Sequence, residues 1–521
     1  MKTFLPRKII CRGAGESVFL YVEITVRMKS DIIIAGGGAA GLMAAVGAAQ
    51  SLAESGNGGT VTVLEKMQKP GRKIMITGKG RCNFTNVKEW DDFSSHVRTD
   101  PRFVSPAFHN LTPEDLIAFF KEYGMRSIVE RGERAFPASH LSGDVVDTLV
   151  RACTLLGVKI VTGCEIRSVE TSRQGFKLDC TLTTIKEFRQ RTDNPRQRPV
   201  SKTETTVEPV SYTCCRLIVA TGGLSYPGTG STGDGYKWAE AFGHGIEPVF
   251  PSLTALVPQG YKSAESPLAG EIRDAFRGRP AKKEHKINPL PADYPKLPGH
   301  IERITPLTEI GRMFESNKLD NIAVTLYVDG REVQREFGDL EFTDGGIEGP
   351  VGYMVSRKAV KAIIAGSKVS LSIDLKPAVE AEQLDADVHE RWEAVKTDPR
   401  SRGAAFQKLF RILLGKLIPW DLVAPFLRMN PDVSINSLAA VLKDWSFPIE
   451  GFVGFERAVV TAGGISTDDV VAKTLESKKV PGLYFAGEVL DIDSDTGGYN
   501  LETSFATGYL AGQSAAKSLE Q

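Results

Sequence analysis

The sequence is marked first by what it lacks. No apolar run reaches the roughly 18–20 residues that a membrane-spanning helix needs. Charge of neither sign is in excess: Lys+Arg and Asp+Glu each number 64. The chain therefore sets up no global field that would gather nucleic acid or anionic lipid. Cysteine is scarce, with seven in 521 residues: Cys11, Cys82, Cys153, Cys164, Cys180, Cys214 and Cys215. The number is odd and no C-x-x-C pair occurs, which argues against a zinc site, a disulfide framework or a dithiol centre. A reducing, cytoplasmic setting without a structural metal is the expectation. Adjacent Cys214 and Cys215 read as strand neighbours pointing to opposite faces. A secretory leader is not expected either: the N-terminal apolar stretch "VFLYVEITV" carries Glu23, and no small-residue cleavage site follows it. Residues 1–27 are expected to be dispensable, with Met28 standing just ahead of the first confident strand. No internal repeat is present, and only one G-x-G-x-x-G unit with a following acid occurs, so a built-in second nicotinamide domain is not expected.

What is present begins at Ser30. "SDIIIAGGGAAGLMAAVGAAQSLAESGNGGTVTVLEK" reads as strand, glycine turn, helix and second strand, a βαβ unit. "DIIIA" is the continuous apolar run of a parallel strand buried on both faces. Gly36, Gly38 and Gly41 have the spacing that permits a tight turn, a close approach of backbone N–H groups to a pyrophosphate, and packing of helix on strand. Glu65 ends the next strand 24 positions past Gly41, where a carboxylate accepts hydrogen bonds from ribose hydroxyls and disfavours a 2′-phosphate.

Flavin rather than nicotinamide chemistry is suggested by the C-terminus. "GLYFAGEVLDIDSDTGGYNLETSFATGYLAG" is an apolar strand, a Gly487–Glu488 step, an acidic loop and a glycine-started helix. Such a helix start, aimed at the pyrimidine end of a flavin, stabilises negative charge there. "IVATGG", with Thr221 and Gly222, is a further strand-to-glycine turn of this kind. Between these elements lies "GRKIMITGKGRCNFTN", Gly71 to Asn86, a glycine-rich basic stretch without helix or strand periodicity. Arg81, Asn83 and Thr85 are expected to place donors near a flavin ring and its pyrophosphate. Lys73 and Lys79 are expected to add positive potential around the phosphates, and Cys82 to pack or touch the ring rather than act as a nucleophile. His140, Tyr226, Asp344 and Tyr499 are the weak candidates for a proton donor.

Together, "DIIIAGGGAAGLMAA", "VLEKMQKPGRKIMITGKGRCNFTN", "RAFPASHLSGDVVDTL", "VATGGLSYPGTGSTGDGY", "VTAGGIS" and "SKKVPGLYFAGEVLDIDSDTGGYNLETSFATGYLAG" resemble the bacterial BaiN/YhiN-type flavoproteins, the aminoacetone-oxidase-like family of FAD-dependent oxidoreductases, from about Ser30 to Ala516. The resemblance implies an α/β fold: a Rossmann-type FAD-binding domain of the two-dinucleotide-binding flavoprotein class, with inserted β-barrel-like and helical domains. It implies non-covalent FAD, a small organic or sterol-like substrate, and NAD(P)H as a possible transient donor. The expected cofactor-binding set is Gly36, Gly38, Ala39, Ala40, Gly41, Glu65, Lys66, Lys73, Thr77, Gly80, Arg81, Cys82, Asn83, Thr85, Ile166, Thr221, Gly222, Gly487, Glu488, Gly498, Tyr499, Asn500 and Leu501. The expected division is a dispensable extension 1–29, the FAD-binding domain 30–255, a β-rich insert 256–377, a helical insert 378–448 and the return to the FAD-binding domain 449–521. Two departures stand out. The family's "LFTHxGxSGP" is here "EFTDGGIEGP", so Asp344 and Glu348 replace a His and a Ser. The polar stretches 186–210 and 265–305 are longer than the family core requires; the first reads as an exposed hairpin extension or a disordered insertion. A flavin-using RNA-modifying enzyme and a non-catalytic flavin sensor are the alternative readings. Neutral net charge speaks against nucleic acid, and no membrane partner is expected.

Overall fold

In the computed structural model, which describes residues 26–56, 58–190, 200–263 and 294–520, "DIIIA" forms strand β1 (Ile32–Ala35), with every residue fully buried. Helix α1 (Ala39–Glu54) follows, and then β2 (Val61–Glu65), β3 (Lys159–Thr162), β4 (Arg216–Val219) and β5 (Leu483–Phe485). These five strands form one parallel sheet in the order β5–β4–β1–β2–β3. Helix α2 (Tyr499–Lys517) closes the chain and lies along α1. The contact is backbone to backbone. A Cβ at Gly508 would stand 2.2 Å from the Ala40 carbonyl oxygen, and one at Gly512 would stand 2.0 Å from that of Ala44. Only small residues allow two helices so near one another, and their adjacency brings both N-termini to the same edge of the sheet.

A four-stranded sheet flanks this core, ordered Val26–Lys29, Val200–Cys214, Gly175–Gln190 and Cys164–Ser172. The two long middle strands pair antiparallel along their length, so the polar stretch at 186–210 is the hairpin extension of the two expected alternatives. Residues 191–199 at its tip lie outside the described residues, as do 1–25 and 264–293, which hold most of the N-terminal extension and of the second polar stretch. Val26–Lys29 pairs in parallel with Val210–Thr213, so pairing among the described residues begins ahead of the expected boundary at Ser30.

The inserts form a second unit with its own core. Strands Leu256–Pro258, Gly346–Glu348, Arg331–Thr343, Lys318–Val328, Val369–Asp374 and Trp445–Val453 follow one another round a barrel that closes where the last pairs with the first. The expected "DG" turn joins Lys318–Val328 to Arg331–Thr343, with φ of 49° at Asp329 and 78° at Gly330, the left-handed pair that a two-residue hairpin requires. Helices Ala381–Thr397, Phe406–Leu417, Trp420–Met429 and Ile435–Lys443 enter between the last two barrel strands. They share the barrel's core: Trp445 packs on Phe426 and Phe447 with ring centroids 5.0 and 4.8 Å apart. Strand Trp445–Val453 straddles the expected boundary at 448, because the helices are a loop of the barrel rather than a free-standing unit.

Candidate functional site

One deep cleft runs along the carboxyl edge of the parallel sheet, where both helices begin. Such an edge is where open α/β sheets bind ligands. Gly38 and Gly498 are the N-caps of α1 and α2, and neither helix start receives a side-chain cap. Free N–H groups and two positive dipole ends therefore meet there. Each glycine of the fingerprint has its own task. Gly36 has φ +105°, and a Cβ on it would lie 2.5 Å from the Ala220 carbonyl oxygen. A Cβ on Gly41 would lie 1.9 Å from the Gly36 oxygen. A Cβ on Gly38 would meet no protein atom within 4 Å and would project into the cleft.

Glu65 ends β2 buried, with Oε2 accepting from the Gly37 N–H and Oε1 from the Met67 N–H, each at 2.7 Å. Burial raises its pKa, with the two backbone donors working against the shift. Lys66 lines the cleft but is tied to Asp234 at 2.7 Å. Lys73 reaches across to Glu488 at 2.6 Å, and the other Glu488 oxygen accepts the Thr461 N–H. Ala39, Ala40, Thr77, Ile166, Thr221, Gly222, Gly487, Asn500 and Leu501 complete the part of the expected set that lines the cleft. Asn500 also pins the acidic loop ahead of α2: its amide bonds the Ser494 N–H and carbonyl.

Other expected residues stand elsewhere. Gly41, Gly80, Arg81, Cys82, Asn83, Thr85, Gly498 and Tyr499 do not line the cleft. Arg81 is turned onto Glu130 at 2.5 Å, contacts His140 and lies over the Phe136 ring, so its guanidinium serves a side cluster rather than a phosphate. Lys79 pairs with Glu341 of the barrel at 2.7 Å. Cys82 is fully buried, and burial pushes its thiol up to about 11, which keeps it a thiol. Gly498 is held against the Thr85 backbone, and Asn83 and Thr85 lie beneath the start of α2. Tyr499 stacks on His96 with centroids 4.2 Å apart.

The four proton-donor candidates divide. His140 and Tyr499 sit in the side clusters just described. Tyr226 and Asp344 are brought together where barrel and nucleotide domain join. Arg457 bonds Asp344 at 2.5 Å and forks onto Glu348, one arm at 2.9 Å, with Arg303 3.8 Å from Asp344, and these charges also bear on the Tyr226 phenol. Burial raises the Asp344 pKa, but the Arg457 and Arg303 charges prevail and hold it below the usual carboxylate value. Tyr226 occupies the left-handed region at φ 52°, a strained conformation for a bulky side chain, and burial raises its phenol pKa. Buried Lys262 lies in the same cluster, its ammonium pulled down to about 8 by burial. Chain continuity carries both sides of this cluster to the cleft, through Val459–Val460 and through Thr229–Ser231.

Residues of the cleft that the sequence reading did not single out include Trp238, Ile492, Thr503 and Ser504. Thr503 and Ser504 had a signal, since they continue the helix turn that holds Asn500 and Leu501. Trp238 and Ile492 had none.

The family described as HI0933-like protein Rossmann domain matches residues 30–191 and 189–514. A 3-dehydro-bile acid delta(4,6)-reductase of Clostridium scindens is 29% identical over 491 residues, 93% of this chain and 98% of that protein. Ribosomal RNA dihydrouridine synthases of Haemophilus influenzae and Escherichia coli are each 28% identical, over 498 and 502 residues, 94% of this chain and 99% of theirs.

Proposed function

We propose, from the premise that this chain belongs to the HI0933-like protein family, that it is a flavin-dependent oxidoreductase that holds FAD and saturates a carbon–carbon double bond conjugated to a carbonyl. The observation that carries the cofactor reading is the pair of uncapped helix starts in one cleft. The α1 start with open Gly38 suits a pyrophosphate, and the α2 start suits the pyrimidine end of a flavin. Glu65, in the cleft beside the α1 start, favours the dinucleotide, because a flavin mononucleotide has no adenosine ribose to place there.

The substrate class follows from what the relatives' names have in common. A 3-dehydro bile acid with delta(4,6) unsaturation and a uridine ring both present an alkene conjugated to a carbonyl. Reduced flavin supplies a hydride. With that hydride on the β carbon and a proton on the α carbon, the alkene is saturated and the carbonyl is kept. The protein's part is to orient the carbonyl and deliver the proton. The Tyr226 and Arg457 junction is where we place those roles, since chain continuity links it to the cleft and burial keeps the proton on the Tyr226 phenol, while Asp344, held ionised, positions Arg457. NAD(P)H is proposed as the transient donor that reduces the flavin.

The test is an anaerobic mixing experiment. Reduced holoenzyme is mixed with a steroid enone, and the return of oxidised-flavin absorbance is followed. Reoxidation by the enone but not by its unconjugated isomer is expected. A flavin that stays reduced against every carbonyl-conjugated alkene overturns the substrate class, and a colourless protein overturns the flavin. A second reading, in which the alkene is a uridine within ribosomal RNA, is favoured by the names of two relatives. Dihydrouridine formed in added ribosomal RNA, with no turnover of the free enone, would select it.

A further inference from the structure

Beneath the start of α2, buried polar atoms gather without hydrogen bonds of the usual length. Glu502 is 0% exposed, and neither carboxyl oxygen makes a hydrogen bond within the usual distance among the described residues. The Thr85 hydroxyl faces it. Asn83 Oδ1, Thr85 Oγ1 and Asn86 Oδ1 from the segment below, and Thr503 Oγ1 from α2, are likewise buried and unpartnered. The cluster is built tightly: a Cβ on Gly498 would lie 2.6 Å from the Thr85 carbonyl carbon and 3.0 Å from Asn83 Oδ1. It also communicates with the cleft, because Leu501 and Thr503, on either side of Glu502, both line it.

A carboxylate faced by the Thr85 hydroxyl but with no hydrogen bond of the usual length is costly in such a place, and the dipole of one helix start offsets only part of that cost. Burial pushes the Glu502 pKa up to about 8; the Thr85 hydroxyl opposes this, and the charges of Glu114 and Asp115 add to it. Those two are the charged groups that bear on it from helix Pro113–Glu122. The strand Thr85–Asn86 brings only neutral polar groups, and α1 has no ionisable residue from Ala39 to Ala53. Glu488, in the turn between β5 and α2, is neutralised by Lys73.

We propose that Glu502, with Asn83, Thr85 and Thr503, forms a buried proton site linked to the oxidation state of the bound flavin. This rests on the flavin reading given above. Reduction brings negative charge to the end of the cleft at α2, and a neutral acid one turn behind that helix start tolerates it where a carboxylate does not. Reduction therefore tightens the hold of Glu502 on its proton. Conversely, loss of that proton to solvent makes reduction harder. No bond to the cofactor is formed or broken in this linkage; one proton is exchanged with solvent for each pair of electrons.

The experiment measures the flavin midpoint potential of the holoenzyme between pH 6 and pH 10 by spectroelectrochemistry. In the wild type the reduction equilibrium is expected to acquire an additional dependence above pH 8 that approaches tenfold per pH unit, about 30 mV per unit for two electrons. Glu502→Gln keeps the shape, removes the proton, and is expected to lose this added slope while retaining its flavin. Superimposable profiles in two flavin-bearing proteins overturn the proposal and leave the cofactor reading standing, whereas a wild type without flavin absorbance defeats that reading instead. Independently of the variant's folding, infrared spectra of the wild-type apoprotein are expected to show a buried carboxylic acid band that disappears between pH 7 and pH 9. Absence of such a band at pH 7 also overturns the proposal.

Discussion

Gly38 and Gly41 lie in one helical turn and should respond in opposite ways to an added methyl group. At Gly41 the new Cβ would sit 1.9 Å from a backbone oxygen, a clash that only a backbone shift relieves. Gly41→Ala should cost about 1–3 kcal/mol of stability or more, read as a fall in the melting temperature of the apoprotein. At Gly38 the methyl group enters open space, so Gly38→Ala should leave the apoprotein melting temperature nearly unchanged. It should still weaken FAD binding at least tenfold, about 1.4 kcal/mol, in a fluorescence titration. Glu502 offers a second test that needs no cofactor. Its pKa is raised from an unfolded value near 4.5 to about 8 in the fold. Folding therefore holds a proton that the unfolded chain releases, and stability falls as pH rises from about 4.5 to about 8. Glu502→Gln removes this dependence. Its melting temperature relative to the wild type should be several degrees higher at pH 8 than at pH 5, by differential scanning calorimetry. The contrast between Gly38 and Glu502 also shows what single residues disclose in a sequence. The places of Gly38 and Glu65 in the cleft were legible because the glycine turn and the strand end are set by local spacing. Glu502 was not, because its isolation is created by residues 83–86, more than 400 positions earlier, folding beneath α2.

At the scale of elements, the strands and helices of the nucleotide unit were legible because a buried parallel strand is apolar throughout and its glycine turn is local. The "DG" turn and the run of helices were legible for similar reasons of pattern, and the hairpin at 186–210 only as one of two alternatives. The close approach of α1 and α2 was not, since Ala40, Ala44, Gly508 and Gly512 look like ordinary small helix residues until the helices meet. Side-chain direction in the basic stretch was not legible either: Lys73 and Lys79 face Glu488 and Glu341, acids supplied from far along the chain. The junction at Arg457 is the same kind of long-range pairing, and it carries a prediction. Its guanidinium, 14% exposed, compensates Glu348 and Asp344 at once. Arg457→Met leaves a buried carboxylate without its partner and should destabilise by about 3–5 kcal/mol in denaturant unfolding. Adding Glu348→Gln and Asp344→Asn to Arg457→Met should recover most of that loss. If the triple variant is as unstable as the single one, the guanidinium acts through packing rather than charge.

The whole molecule carries 64 basic and 64 acidic side chains, and the pairing seen in and around the cleft repeats much of that balance locally. Lys66 is matched by Asp234, Lys73 by Glu488, Lys79 by Glu341 and Arg81 by Glu130. Of the basic stretch that stands out in the sequence, Lys73, Lys79 and Arg81 are thus matched by acids, and Arg72 at the cleft is left to supply its net positive potential. A cofactor phosphate in this cleft is better served by the two helix starts than by lysines, whose charge is already committed. The same balance separates the two substrate readings. A protein that neutralises several RNA phosphates releases as many counterions, and its affinity falls by orders of magnitude between about 50 and 200 mM salt. With the cleft lysines Lys66 and Lys73 paired and Arg72 the remaining cleft cation among the described residues, this enzyme should bind ribosomal RNA only weakly. Its kcat/KM for a neutral conjugated enone should change less than about twofold over that salt range, because no long-range attraction is there to screen. Steady-state rates across a salt series test this directly. A steep negative slope of log kcat/KM against log salt with RNA as substrate would show a cationic surface that these ion pairs do not supply, and would give precedence to the RNA reading.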